Sequence, residues 1–177
     1  MPGRTPLPAP AAGAIVAILA ALVLAADQFT KHLALESLPY QQTVPVLGDF
    51  LVFYLTRNSG AAFSLGAGVT WVFTIVLSAV AVVIGYLAVR QVRSRWWAVI
   101  LGLLLGGVLG NLADRLLREP GFAVGHVVDF IHTPWMMPAI YNVAAIFIVT
   151  MMCSVAIIVL SGMRLDGTRA RRPAHAA

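Results

Sequence analysis

Eight polar side chains stand out in a chain that has few of them: Asp27, Lys31, Asn58, Asn111, Asp114, Arg115, Asp129 and Asn142. Ionisable groups at or near a bilayer are costly, so each one found there is a candidate for function. Carboxylates, amides and cations offer acid–base and hydrogen-bonding chemistry. No metal or other cofactor is implied, because no cluster has metal-ligand spacing, and His126 and His132 beside Asp129 read as loop residues. Cys153 lies among Met151, Met152, Val155 and Ile157, has no partner for a disulfide, and reads as a small hydrophobe. For any one polar residue, a wet span end is the plainer explanation. For the group it weakens, because spacing ties several members to packed faces.

The chain around these residues is membrane protein by composition. Of 177 residues, 60% are apolar and 11% charged, and the mean hydropathy is +0.88. Soluble domains run at about 45–50% apolar and about 25% charged. A chain this short cannot bury so much apolar surface within itself. That excludes a soluble enzyme, a disordered protein and a disulfide-stapled module. The net charge of +5 does not indicate nucleic acid as a partner, since the basic residues sit at segment ends and not along one amphipathic face.

A helix needs about 20 apolar residues to cross the hydrocarbon core. The expected fold is an all-α membrane protein with four spans, at about 11–26, 69–89, 96–113 and 139–163. Arg4, Arg90, Arg93, Arg95, Arg164, Arg169, Arg171 and Arg172 fall on one side, against the single acid Asp166. Excess Lys and Arg mark the cytoplasmic side, which puts both termini inside. Trp71, Trp96, Trp97 and Trp135 fall near span ends, as interfacial aromatics do. Arg4, an apolar stretch and Leu24-Ala25-Ala26 also mimic a cleaved signal peptide. On the outer side, residues 41–57 are rich in β-branched and aromatic types around a Gly48-Asp49 turn, which predicts a small surface β-element. Residues 164–177 read as a disordered basic tail able to touch anionic lipid. No internal repeat is evident.

The third span ties the polar residues to packing. Gly102, Gly106 and Gly110 recur every four residues and lead to Asp114, while Gly107, Asn111 and Arg115 form the adjacent stripe. Small residues at this spacing let another helix approach closely. A packed face ending in Asn, Asp and Arg aims that trio at the bundle interior.

Five segments then resemble those of lipoprotein signal peptidases (signal peptidase II). Asp27-Gln28-Phe29-Thr30-Lys31 resembles D-Q-x-T-K, and Asn58-Ser59-Gly60-Ala61-Ala62-Phe63 resembles N-x-G-A-A-F. The run from Gly106 and Gly107 through Gly110, Asn111, Asp114 and Arg115 resembles G-G-x-x-G-N-x-x-D-R. Val127-Val128-Asp129-Phe130-Ile131 resembles V-V-D-F-I, and Tyr141-Asn142-Val143-Ala144 the start of F-N-x-A-D. The segments keep the family's order across about residues 11–163, and the first closes span one, which argues against its cleavage.

The resemblance implies an intramembrane aspartyl peptidase of the bacterial cytoplasmic (inner) membrane, multi-pass and with its site near the extracytoplasmic surface. Its substrates would be diacylglyceryl prolipoproteins, cut before the lipidated Cys. Membrane lipid would hold the acyl chains, globomycin-type cyclic peptides would inhibit, and a monomer is expected. Two carboxylates sharing a proton would activate water and protonate the leaving amine. Asp129 matches one of them. Asn58, Asn111, Arg115 and Asn142 would hold substrate or orient the dyad, supported by Asp27, Lys31, Gly60 and Asp114. An ion pair between Asp27 and Lys31, and between Asp114 and Arg115 or a neighbour, is an equal alternative to substrate contact.

One position departs from the pattern. The second carboxylate should follow Ala144, where this chain has Ala145, and the next acid after Asp129 is Asp166. Gradual decay usually erodes several motifs, so intact neighbours favour a deliberate Asp-to-Ala change that stops turnover and keeps substrate or inhibitor binding. Little or no peptidase activity is expected. The alternatives are a binding-only lipoprotein-capturing membrane protein and a small transporter or assembly factor. Polar groups gathered at one surface, not at the midplane, count against the last.

Overall fold

The computed structural model describes residues 6–60 and 67–169. Arg4, the 61–63 part of the second motif, and residues 170–177 of the basic tail lie outside them. The element order is α1 (Ala9–Ser37), β1 (Thr43–Leu47), β2 (Leu51–Asn58), a single helical turn (Ala67–Val69), α2 (Thr70–Arg90), α3 (Arg95–Leu117), β3 (Val127–His132), β4 (Ile140–Tyr141) and α4 (Val143–Leu160). Among the described residues, α1 to α4 are each long and apolar enough to cross a membrane.

Length separates the helices by task. At 1.5 Å per residue, the 29 residues of α1 reach about 44 Å, well beyond a hydrocarbon core of about 30 Å. Its C-terminal third carries Gln28, Lys31, His32 and Glu36. There His32 and Glu36 pair at 3.3 Å in the open. The 23 residues of α3 span about 34 Å. That helix is the centre of the bundle, the most buried of the four, and α4 is the least buried. Cys153 accordingly faces outward on α4, although free cysteines are more often buried.

The glycine stripes determine who touches α3. A Cβ at Gly106 would stand 2.6 Å from the Val23 side chain and 2.8 Å from the Ala20 carbonyl of α1, and one at Gly107 2.7 Å from the Ala144 carbonyl of α4. The two adjacent stripes therefore seat two different helices. Ala12, Val16, Ile84, Val92, Trp97, Leu101, Leu104 and Ile158 fill the bundle core. Trp97 departs from the expected interfacial role, being only 5% exposed, with Nε1 donating to the Met163 carbonyl at 3.4 Å. At this same end, backbone bonds join the chain before α1 to the α2–α3 link (Leu7 N to Arg93 O, 2.8 Å) and that link to the segment after α4 (Arg93 N to Leu165 O, 2.9 Å). Through Arg169 the tail is folded into turns, with a bridge from Met163 to Arg169.

At the other end lies a four-stranded antiparallel sheet in the order β1-β2-β3-β4. Gly48 takes the left-handed conformation (φ 54°) in the hairpin between β1 and β2, which glycine tolerates. The sheet is wider than the expected element, because Val127–His132 and Ile140–Tyr141 add two strands. His132 is consequently a strand residue rather than a loop residue, and α4 starts at Val143 where hydropathy rises at 139. One sheet face packs Leu55, Val128 and Phe130 on Ala34 of α1, fixing the sheet over the end of the bundle opposite the α2–α3 link.

Candidate active site

Asp129 sits in the middle of β3 opposite Thr56 of β2 and is 4% exposed. Each carboxylate oxygen receives one amide: Asn58 Nδ2 donates to Oδ2 at 3.0 Å, and Asn142 Nδ2 to Oδ1 at 2.6 Å. Burial pushes its pKa up to about 6, against the downward pull of the Asn58 bond, the Lys31 charge and the Asn142 bond; Asp114 adds to the rise. A carboxyl group in this range can both hold and release a proton near neutral pH.

Asn142 is also the N-cap of α4. Its Oδ1 accepts from the Ala145 amide at 2.7 Å, the usual satisfaction of a free amide in a first helical turn. One amide side chain thus reaches from the Asp129 carboxylate to the backbone of residue 145. Ala145 itself is half-buried. Asn142 Nδ2 lies within reach of the Asn111 side-chain oxygen as well, at 3.1 Å.

Asn111 joins this layer to a buried charge network. Its Oδ1 also accepts from Lys31 Nζ at 3.1 Å. Lys31 is fully buried, 2.8 Å from Asp27 and 2.7 Å from Asp114, both also buried. Arg118 Nε closes the set on Asp114 at 2.6 Å. Two carboxylates and two cations balance, as buried charges must. The network also holds backbone: Asp27 Oδ1 accepts from Ala144 N at 2.8 Å, and Asp114 Oδ2 from Val128 N at 3.1 Å. Asp27 thereby tethers the start of α4, and Asp114 tethers β3 next to Asp129.

Arg115 does not pair with Asp114. Its guanidinium donates to the carbonyls of Ser59 and Gly125, each at 3.2 Å, and of Gly60. It also lies over the Phe73 ring at 5.4 Å. Since Gly60 N donates to Asn58 Oδ1 at 3.0 Å, the cation clamps the turn that aims Asn58 at Asp129. Its Nε is buried without a hydrogen-bond partner among the described residues.

The eight polar residues therefore converge, with Gly60 in the clamped turn and Ala145 at the cap. Sequence reasoning missed Arg118 and gave Gln28 no role of its own. Gln28 Nε2 donates to the Gly110 carbonyl at 3.0 Å and to Asp114 at 3.1 Å, where a Cβ on Gly110 would collide with Asp27. The i,i+4 spacing of Asp114 and Arg118 was a usable signal; nothing local marks Gln28 beyond its place beside Asp27.

A family model described as signal peptidase (SPase) II matches residues 19–162. The chain is 47% identical over 158 residues to a lipoprotein signal peptidase of Leifsonia xyli subsp. xyli, covering 89% of this chain and 72% of that one. It is 46% identical over 153 residues to one of Rhodococcus jostii, covering 86% and 75%. A solved bacterial membrane enzyme superposes with a TM-score of 0.74 at 25% identity, covering 89% of this chain and 94% of the other. A second gives 0.70 at 28% identity, covering 82% and 92%.

Proposed function

The chain belongs to the signal peptidase II family, and from that premise we propose that it is the scaffold of an intramembrane aspartyl endopeptidase that removes signal peptides from diacylglyceryl prolipoproteins. As it stands, one acid of the dyad is absent. The observation that carries this reading is the Asn142 side chain, which touches both Asp129 and the amide of residue 145. A carboxyl group at position 145 would start one amide side chain away from Asp129.

The two positions suit different halves of the chemistry. Burial makes Asp129 a good proton holder. Position 145 lies in the first turn of α4, where the helix amides and dipole favour an ionised carboxylate. That carboxylate would take a proton from the attacking water while Asp129 protonates the leaving amine, the titration belonging to the pair. Asn58 and Asn142 hold Asp129 in place, and Arg115 acts through the turn that carries Asn58. The acyl chains stay in lipid beside the site. The basic side chains of the α2–α3 link and the tail support cytoplasmic termini in the bacterial inner membrane, with the sheet outside.

The test is cleavage of a purified diacylglyceryl prolipoprotein by this chain and by its Ala145→Asp version. General acid–base groups contribute about 10²–10⁴-fold, so turnover should rise by at least about 10² on restoring the acid. Equal and substantial turnover by both would remove the dyad assignment. Ala145 also favours a second reading, a protein that captures lipoproteins without cutting them. Substrate binding with no gain of cleavage in Ala145→Asp would support it.

A further inference from the structure

The sheet has a second polar site on the face turned away from Asp129. Side chains alternate along a strand, so Val128 lies opposite to Asp129, with Arg57 as its cross-strand neighbour. There a cleft of about 270 Å³ opens between Leu35 of α1, Arg57 of β2, Leu117, Arg118 and Glu119 at the end of α3, and His126.

Its chemistry is that of an anion site. Arg57 is exposed and has no ion-pair partner among the described residues. Arg118 gives Nε to Asp114 at 2.6 Å and Nη2 to Gln28 at 3.4 Å. No hydrogen bond among the described residues uses its Nη1. Burial, with help from Arg115 and Arg57, holds His126 below its usual pKa, so at pH 7 it adds hydrogen-bonding capacity without charge. With the charge of Arg118 met by Asp114, Arg57 is the cleft's spare guanidinium among the described residues, beside the exposed carboxylate of Glu119. One spare cation, with the free Nη1 of Arg118 as a further donor, suits a singly charged phosphodiester better than a doubly charged phosphate.

Depth selects the source. The 23 residues of α3 about match the hydrocarbon core, so Leu117 stands at its boundary and Arg118 enters the headgroup layer. Leu117 is 83% exposed, an apolar surface beside the cleft. We propose that this cleft binds the phosphodiester of a phospholipid headgroup, with Arg57 and Arg118 on the phosphate and Leu117 against the acyl chains.

The full chain in dodecyl maltoside would be titrated with phosphatidylglycerol, with diacylglycerol, and with inorganic phosphate as competitor, counting bound lipid by native mass spectrometry. One saturable phosphatidylglycerol is expected, with no comparable retention of diacylglycerol and no displacement by millimolar phosphate. Losing one charge-assisted contact in Arg57→Gln should weaken binding about tenfold, whereas Glu119→Gln should tighten it. Diacylglycerol held as tightly as phosphatidylglycerol would overturn the proposal, as would displacement of the lipid by inorganic phosphate. So would unchanged affinity in Arg57→Gln. If Arg57→Gln does not fold, weaker or equal binding in Glu119→Gln decides against it alone.

Discussion

Asp129 is a carboxyl group under opposing influences: burial favours its neutral form, while Asn58, Lys31 and Asn142 favour the charged one. Burial wins, and the sign of the consequence is fixed. A folded-state pKa raised from the usual carboxylate value to about 6 gives stability that is complete below about pH 4 and is lost as pH rises through about 6. The loss is about 3 kcal/mol at neutral pH. Depressed His126 tilts stability the other way in the same window, so the comparison must be with Asp129→Asn. That substitution should flatten the decline in Tm between pH 5 and 7, measured in detergent. An unchanged slope would contradict the titration assigned to Asp129. Asn142→Ala makes a second case. It removes the cap of α4, worth about 1 kcal/mol, and a donor to Asp129, so the midpoint followed by carboxyl carbon NMR should move above 6. Of these residues, Asp129 and Asn142 were legible because a polar residue in so apolar a sequence is conspicuous. Their contact was not, since it joins a strand to a helix cap.

The elements explain why so few residues hold so much. Gly106 and Gly110 let α1 meet α3 closely enough for Gln28 and Lys31 to reach Asp114. Gly106→Ala places a Cβ 2.6 Å from Val23, which forces the helices apart at about 1–3 kcal/mol, typical of overpacking. Gly13, with open space around its missing Cβ, is the control: Gly13→Ala should leave Tm unchanged or raise it slightly through helix propensity. Equal effects at both positions would refute the close-approach argument. Lys31→Met should be more severe, about 3–5 kcal/mol, because it leaves Asp27 and Asp114 buried without their shared cation. Stripe and spans were readable from spacing and hydropathy. Strand β3 was not read as a strand, although Val127 to Ile131 are β-branched or aromatic apart from Asp129. A short apolar run does not reveal its partner, and β2 lies some seventy residues earlier.

The whole molecule separates its two ends. Around the α2–α3 link and after α4 it is basic and stitched by backbone bonds; at the other end it carries the sheet, the polar cluster and the cleft beside Arg57. Charge asymmetry along the sequence carried this division, because Lys and Arg alone set it. The sheet's seat on α1 was hidden, since Ala34 and Leu55 meet only once the chain is folded. With Cys153 replaced by Ser, Asp49→Cys should react with a membrane-impermeant maleimide from outside the cell, and Arg93→Cys only after lysis; the reverse pattern would invert the orientation.

The central claim is that position 145 and Asp129 form one catalytic pair through Asn142. Its most direct measurement is cleavage of a diacylglyceryl prolipoprotein by Ala145→Asp with and without the further change Asp129→Asn. Turnover should appear in the first protein and fall back to the level of the present chain in the second. Turnover that survives Asp129→Asn undiminished would contradict it.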